Sequence, residues 1–358
     1  MKKLIRSQLA RVKPWLKRVD QGLARLGASH RFLASLYYLA RGNFSREHQA
    51  TLAGRLAYAR SLRDPSVNTS LLRRNVHRLE KGLLMRPRRV PFGLSYIAET
   101  VQAYEVVVRN GGEPQELAWA RDVLQEYMRV TPAHPVVEPL RALVDSLEPH
   151  NPSGCRDIEL IPYTRTGDEA PQIDFNEVLR LAKHRRSVRW YLPTPVPREL
   201  VRNAVEVAAL SPTACNRLPY EFRIFDEPSL VRELIQLPMG TSGFGQQVPA
   251  VAVIVGKLRN YPNERDRHLI YVDGALAAMS FVYAMEVQGI GTCCINWPDI
   301  EEREKRMARM LKLAPDERPV MLISFGYPDP DGLVARSTKK SISTLCRFNF
   351  EAHEATND

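Results

Sequence analysis

The sequence predicts an α+β protein: a mostly helical, basic region over residues 1–165, then a sheet-and-helix domain over residues 172–350. Three observations lead there. Apolar residues at helical spacing dominate the first half, whereas strand-like runs such as Tyr220–Phe225 and Val248–Val255 come only after Pro171. Strands and helices then alternate loosely, without the regular beat of a doubly wound sheet. Charge is concentrated in the N-terminal quarter: residues 1–90 hold 21 Lys/Arg against 4 Asp/Glu, although the whole chain carries only +11.

The elements follow in order. Leu4, Leu9 and Val12, then Leu23 and Leu26, then Phe32, Leu36 and Leu39 mark amphipathic helices with Arg and Lys between the apolar positions. Leu71–Gly93 reads as a helix ended by Pro87 and Pro91. Within it, His77, Glu80 and Lys81 are spaced for an acid/base cluster, or for an ordinary intrahelical pair. Helices are expected over Ser95–Val108, Pro114–Tyr127 and Val136–Leu147, and Pro149–Pro171 has the composition of a linker.

Beyond it come helices Phe175–Lys183, Glu199–Leu210 and Leu230–Leu237, with strand Tyr220–Phe225 among them and a glycine-rich loop Gly240–Gln247 after them. Val248–Val255 is apolar throughout, as a strand covered on both faces must be. Asp266–Val287 is the longest helical pattern; its alanines and its stripe of Leu269, Val272, Leu276, Met279 and Val282 suit a core or a subunit interface. Gly289 ends it, and Thr292–Ile295, Glu301–Leu311 and Val320–Phe325 read as strand, helix and strand.

Composition narrows the function classes. Five cysteines without CxxC or metal-ligand spacing, behind an N-terminus whose charges interrupt any signal-like apolar run, point to a reducing cytosol. The protein is expected there, free or attached at a membrane surface. Residues 1–90 suit an anionic membrane surface, nucleic acid or another polyanion, or are simply solvated helix faces.

Several short patterns carry chemistry. Arg185, Arg186, Ser187 and Arg189 offer forked cations and a hydroxyl to an anion. Ser211-Pro212-Thr213-Ala214-Cys215-Asn216 offers backbone N–H groups and an amide that donates and accepts at once. Gly289-Ile290-Gly291-Thr292 follows a helix and lacks a third glycine, so it is no dinucleotide loop. Cys293 and Cys294 read as packing residues, and Arg336, Lys339 and Lys340 form a late basic cluster.

The order of these patterns, from RRSxR through SPTxxNxxPYxF to GIGT, GYP and the late cations, resembles the nitroreductase family of FMN-dependent oxidoreductases over about Phe175–Phe350. The resemblance implies an α+β homodimer with FMN at the interface. It implies that Arg185, Arg186, Ser187 and Arg189 contact FMN, and that Pro212, Thr213, Ala214 and Asn216 complete the partner's site. It further implies that Cys294, Ile295, Asn296 and Trp297 run past flavin N5 with no side chain catalytic, and that Lys339, Arg336 or Lys340 holds phosphate. NAD(P)H would then be the electron donor to an unidentified acceptor. An azoline-oxidase-like dehydrogenase or a non-enzymatic flavin-fold scaffold would use the same framework. Ala214, Leu218 and Tyr220 depart from the family's Ser, Gln and Trp, and Trp297-Pro298 replaces a glycine pair. A tryptophan there is expected to stack over the ring or narrow the pocket.

Overall fold

The computed structural model describes residues 15, 18–66, 68–147, 159–165 and 170–349. The helical expectation on Leu4, Leu9 and Val12, most of the linker, and Cys155 lie outside the described residues.

Helices α1 (residues 18–28) and α2 (Arg31–Arg41) form a hairpin closed by the Tyr37 hydroxyl donating to Asp20 (2.6 Å) and by an Arg41–Asp20 ion pair. Gly42, at φ 67°, takes the left-handed cap that a side chain would resist. The next helix, α3 (Ser45–Ser61), sends Ala50 into a cluster with Leu258, Tyr261 and Ile270, more than 200 residues on. A Cβ on its Gly54 would lie 2.7 Å from Leu258, so glycine permits that approach.

Helices α4 (Ser70–Leu83), α5 (Ile97–Arg109), α6 (Pro114–Val130) and α7 (Glu138–Ser146) share a core of their own. Leu72, Val76, Leu79 and Leu83 of α4 recur at helical spacing and are buried against Val101, Tyr104, Leu124 and Tyr127. Each fully buried aliphatic side chain there contributes about 1.5–3 kcal/mol. Glu113 caps α6 by accepting from the Gln115 and Glu116 amides, with Pro114 opening the helix. The helix expected over Leu71–Gly93 stops at Leu83, four residues before Pro87. Within α4, His77 Nδ1 lies 3.2 Å from Glu80, whose other oxygen accepts from Trp119 Nε1 at 2.9 Å. The polar set is thus an intrahelical pair tied to α6.

In the second half, helices α8 (Phe175–His184) and α9 (Arg198–Ala209) precede strand β1 (Tyr220–Phe225) and helix α10 (Pro228–Leu234) follows it. Strand β2 (Ala250–Lys257), helix α11 (Leu269–Val287), strand β3 (Gly291–Asn296), helix α12 (Glu301–Leu311), strand β4 (Glu317–Gly326) and the short helix α13 (Ile342–Leu345) follow. The sheet is antiparallel in the order β1-β2-β4-β3. β2 is covered on both faces: Val251, Val253 and Val255 meet Cys293, Ile295 and Leu322 on one side. Ala250, Ala252 and Ile254 meet α9 and α11 on the other.

Helix α11, long and apolar enough to cross a membrane by composition alone, is the central helix of this packing. Its small side, with Gly274, Ala277 and Ala278, packs on the sheet together with Phe281. Val272, Leu276 and Met279 of the larger stripe remain exposed. Residue volume explains the division, because small residues let a helix approach a strand closely.

Candidate functional site

The basic turn sits at the β3 edge of the sheet. Ser187 bridges Thr292 in parallel, and the Val188 amide donates to the Thr292 carbonyl at 2.9 Å. The Tyr191 hydroxyl, buried, donates to the Val188 carbonyl at 2.7 Å and lies 3.0 Å from the Ser324 hydroxyl, which pins the turn to β4. A Cβ on Gly291 would lie 2.8 Å from Val188 and 2.9 Å from Pro328, so this close crossing needs glycine.

Side chains of the turn divide between two environments. Burial pushes the Cys293 thiol up, while Arg189, a hydrogen bond with Ser187, and Arg185 all oppose that rise, so these three stand beside β3. Arg185 Nε is buried and has no hydrogen-bond partner among the described residues. Arg189 extends over the Phe244 ring, 5.8 Å from its centroid, and the Gln247 side chain donates to its carbonyl. Arg186 lies elsewhere, in a cavity of about 240 Å³ lined also by His184, Glu286, Pro328 and Val334.

Because Thr292 turns its carbonyl away from β4, strand alternation turns the backbone groups of Cys294 and Asn296 outward as well. Their side chains are exposed, whereas Cys293 and Ile295 are buried. The segment Cys294–Asn296 is therefore an open strand edge beside Arg185, Ser187 and Arg189. Trp297 does not face that edge. Its indole is buried in the core with Met307 and Leu311, and Nε1 donates to Glu304 at 2.8 Å. The expected stacking indole is thus turned inward, where Glu304 satisfies its N–H. Sequence reasoning passed over Trp190, a half-exposed aromatic adjoining Arg189.

The Pro212–Asn216 loop is elsewhere. It precedes β1, at the opposite sheet edge, three interstrand steps or roughly 14 Å from β3. Along α11 the separation recurs: Asp273 near its start meets the loop, Glu286 near its end meets His184 at 2.7 Å, and thirteen residues of helix span roughly 20 Å.

Much of the loop's polar capacity is spent on its own shape. Ala214 N donates to Asp273 (3.0 Å), Asn216 N to the Thr213 carbonyl (3.0 Å) and Leu218 N to the Thr213 hydroxyl (3.2 Å). Cys215, Asn216 and Leu218 have φ of 55°, 53° and 46°, a left-handed backbone that costs about 1–3 kcal/mol at each non-glycine residue. The Asn216 side-chain amide makes no hydrogen bond within the described residues. Two supports were not legible locally. Asp273, an acid within an apolar helix, also accepts from Tyr261 (3.2 Å), and burial raises its pKa. Arg73 of α4 donates Nε–H to the Asn216 carbonyl at 2.7 Å.

Of the late cations, Arg336, Lys339 and Lys340 are exposed on the segment after β4. That segment starts against the turn, since the Asp329 amide donates to the Trp190 carbonyl and Val334 shares the cavity of Arg186.

The sequence model of the nitroreductase family matches residues 182–241 and 226–327. A protein of Archaeoglobus fulgidus, provisionally named NADH dehydrogenase/NAD(P)H nitroreductase, is 27% identical over 157 residues, covering 42% of this chain and 86% of that protein. Iodotyrosine deiodinase of Nematostella vectensis is 21% identical over 224 residues, covering 54% of this chain and 84% of that protein. Among solved structures, an FMN-dependent nitroreductase of Clostridium difficile R20291 is 22% identical, with a TM-score of 0.41 over 48% of this chain and 98% of that one. The nitroreductase family model thus matches the C-terminal part of this chain, residues 182–327, and leaves the N-terminal helical region unassigned.

Proposed function

We propose that the C-terminal domain binds FMN along the Cys294–Asn296 edge and serves as an NAD(P)H-dependent oxidoreductase. The observation that carries this is the buried, unpartnered Arg185 Nε beside an open strand edge. A buried guanidinium N–H left unpaired is costly, and an anionic or carbonyl-bearing ligand would satisfy it. Arg185 and Arg189 suit a phosphate or a flavin carbonyl, Ser187 a ribityl hydroxyl, and the outward N–H groups of Cys294 and Asn296 a ring nitrogen. These residues fit FMN. When bound, it supplies two-electron transfer between NAD(P)H and an acceptor. The chain's own share is to hold the ring against β3, to keep cations beside its electron-rich edge, and to shield one face from water.

The loop and the turn lie at opposite edges of the sheet, which supports the cross-subunit reading. The exposed stripe of Val272, Leu276 and Met279 gives α11 a face for a second copy. Antiparallel packing of two α11 helices would set the Asp273 end of one against the Glu286 end of the other. Asn216 of one protomer would then approach Arg185 of its partner.

The test is an absorption spectrum of the purified protein, followed by anaerobic titration with NADH and NADPH. A flavin spectrum bleached by either nucleotide is expected. Protein that is colourless and gains no FMN on incubation overturns the reading, and bound flavin that neither nucleotide reduces overturns the choice of electron donor.

A further inference from the structure

We propose that the α1–α2 hairpin is a docking surface for an anionic lipid bilayer. The hairpin folds on itself through Tyr37, Asp20 and Arg41, and Gly27 lies against Ala34 and Tyr37, yet α2 buries none of its residues. Its large apolar side chains point to solvent instead. Trp15, Val19, Leu23 and Leu26 recur every three or four residues up to the turn, and Phe32, Leu36 and Leu39 do so along α2. Exposure reaches 62% at Trp15, 61% at Phe32 and 77% at Leu39. Apolar faces of this size on a charged helical pair mark an interaction surface.

Charge selects the occupant. Residues 1–41 contain ten Lys/Arg and one acid, Asp20, already engaged by Tyr37 and Arg41. A second copy of the hairpin would bury the stripe but press like charges together. Nucleic acid would answer the charge and leave Leu, Phe and Trp in water. An anionic bilayer answers both, with apolar side chains entering the headgroup–acyl boundary and Arg and Lys meeting lipid phosphates. The exposed stripe on α11 makes the contrast: Leu269–Val287 contains no Lys or Arg, as suits a protein–protein face.

The proposal is independent of the cofactor, and its test uses the full chain. Co-sedimentation compares vesicles of phosphatidylcholine alone with vesicles also containing phosphatidylglycerol, at low and high salt. Salt-sensitive binding to the anionic vesicles is expected. The double variant Leu36→Glu, Leu39→Glu should weaken it about tenfold or more, with unchanged circular dichroism because neither side chain is buried. A second double variant, Arg25→Glu, Arg31→Glu, keeps the stripe and should lose the preference for anionic over neutral vesicles. Wild-type protein that stays in the supernatant overturns the proposal, as does binding indifferent to both pairs of substitutions. A dimer that becomes monomer in Leu36→Glu, Leu39→Glu would assign the stripe to a second copy. Tight duplex DNA binding that ignores Leu36 and Leu39, without vesicle binding, would assign the charge to nucleic acid.

Discussion

Replacing Arg73 by alanine should loosen the Asn216 loop from outside the C-terminal domain. Arg73 reaches from α4 to the Asn216 carbonyl at 2.7 Å, its guanidinium lies 5.3 Å from the Trp119 ring centroid, and Glu116 is its ion-pair partner at 3.7 Å. A hydrogen bond from a charged donor contributes about 1.5–3 kcal/mol. The carboxylate left behind adds to the loss, because the Glu116 side chain is only 9% exposed. The expected destabilisation is about 2–4 kcal/mol at pH 7. Its pH dependence identifies the cause. Burial already raises the Glu116 pKa, and Arg73 is the largest influence lowering it, so the variant raises it further. A group with a raised folded pKa stabilises fully below its unfolded pKa and loses that contribution as pH rises through the folded value. The gap between variant and wild type should therefore narrow toward about pH 4, where Glu116 becomes protonated in both folded proteins. Urea unfolding across that range, with FMN titration alongside, makes the measurement. A gap that stays constant with pH would refute the Glu116 argument. Undiminished FMN affinity beside the loss of stability would refute the argument that α4 holds the loop.

Four further substitutions separate the remaining contributions. Arg185→Ala should weaken FMN binding about ten- to hundredfold by fluorescence titration, and mixed dimers carrying Arg185→Ala in one chain and Asn216→Ala in the other should keep one intact site. Equal binding at both sites would refute the cross-subunit arrangement. Asp273→Asn keeps a carbonyl for the Ala214 amide and removes a group whose pKa burial has raised; relative to wild type its urea midpoint should improve as pH rises above about pH 4, and a gap independent of pH would refute this. Gly54→Ala places a Cβ 2.8 Å from the Leu258 carbonyl carbon, so it should cost about 1–3 kcal/mol and open α3 to limited proteolysis.

Local pattern located the elements well where one physical requirement dominated. Strand Tyr220–Phe225 and helix Glu301–Leu311 fall where the sequence placed them, the first from its alternation and the second from its charged helical face. Pattern failed where a distant contact decides. The Leu71–Gly93 helix was drawn to its prolines, but the chain leaves the helix after Leu83. The Val272–Leu276–Met279 stripe is apolar, yet the alanine side packs on the sheet, since hydrophobicity alone does not rank volume. Trp297 is adjacent in sequence to the open edge but turned from it by Glu304, seven residues away. Arg73 and Asn216 are 143 residues apart, and neither has a local feature naming the other.

That long-range contact joins the two halves of the chain more closely than a linker between two domains would. The turn at Arg185–Arg189 is fastened to β3, to β4 through Tyr191, and to Gln247, all within the C-terminal domain. The Pro212–Asn216 loop is fastened to α11 through Asp273 and to the bundle through Arg73, while Asn260 holds the Arg217 carbonyl at 3.2 Å. Among the described residues, the loop and not the turn has a support that depends on the Leu72–Val144 core. A ligand touching Asn216 binds best when α4 is seated, and by reciprocity its binding must favour the seated α4. Arg185 contacts carry no such linkage. Amide exchange in α4 that slows when FMN binds wild-type protein, and does not slow in Arg73→Ala saturated with FMN, would locate the coupling at this one bond. Equal slowing in both would show that the coupling does not run through the Arg73–Asn216 bond.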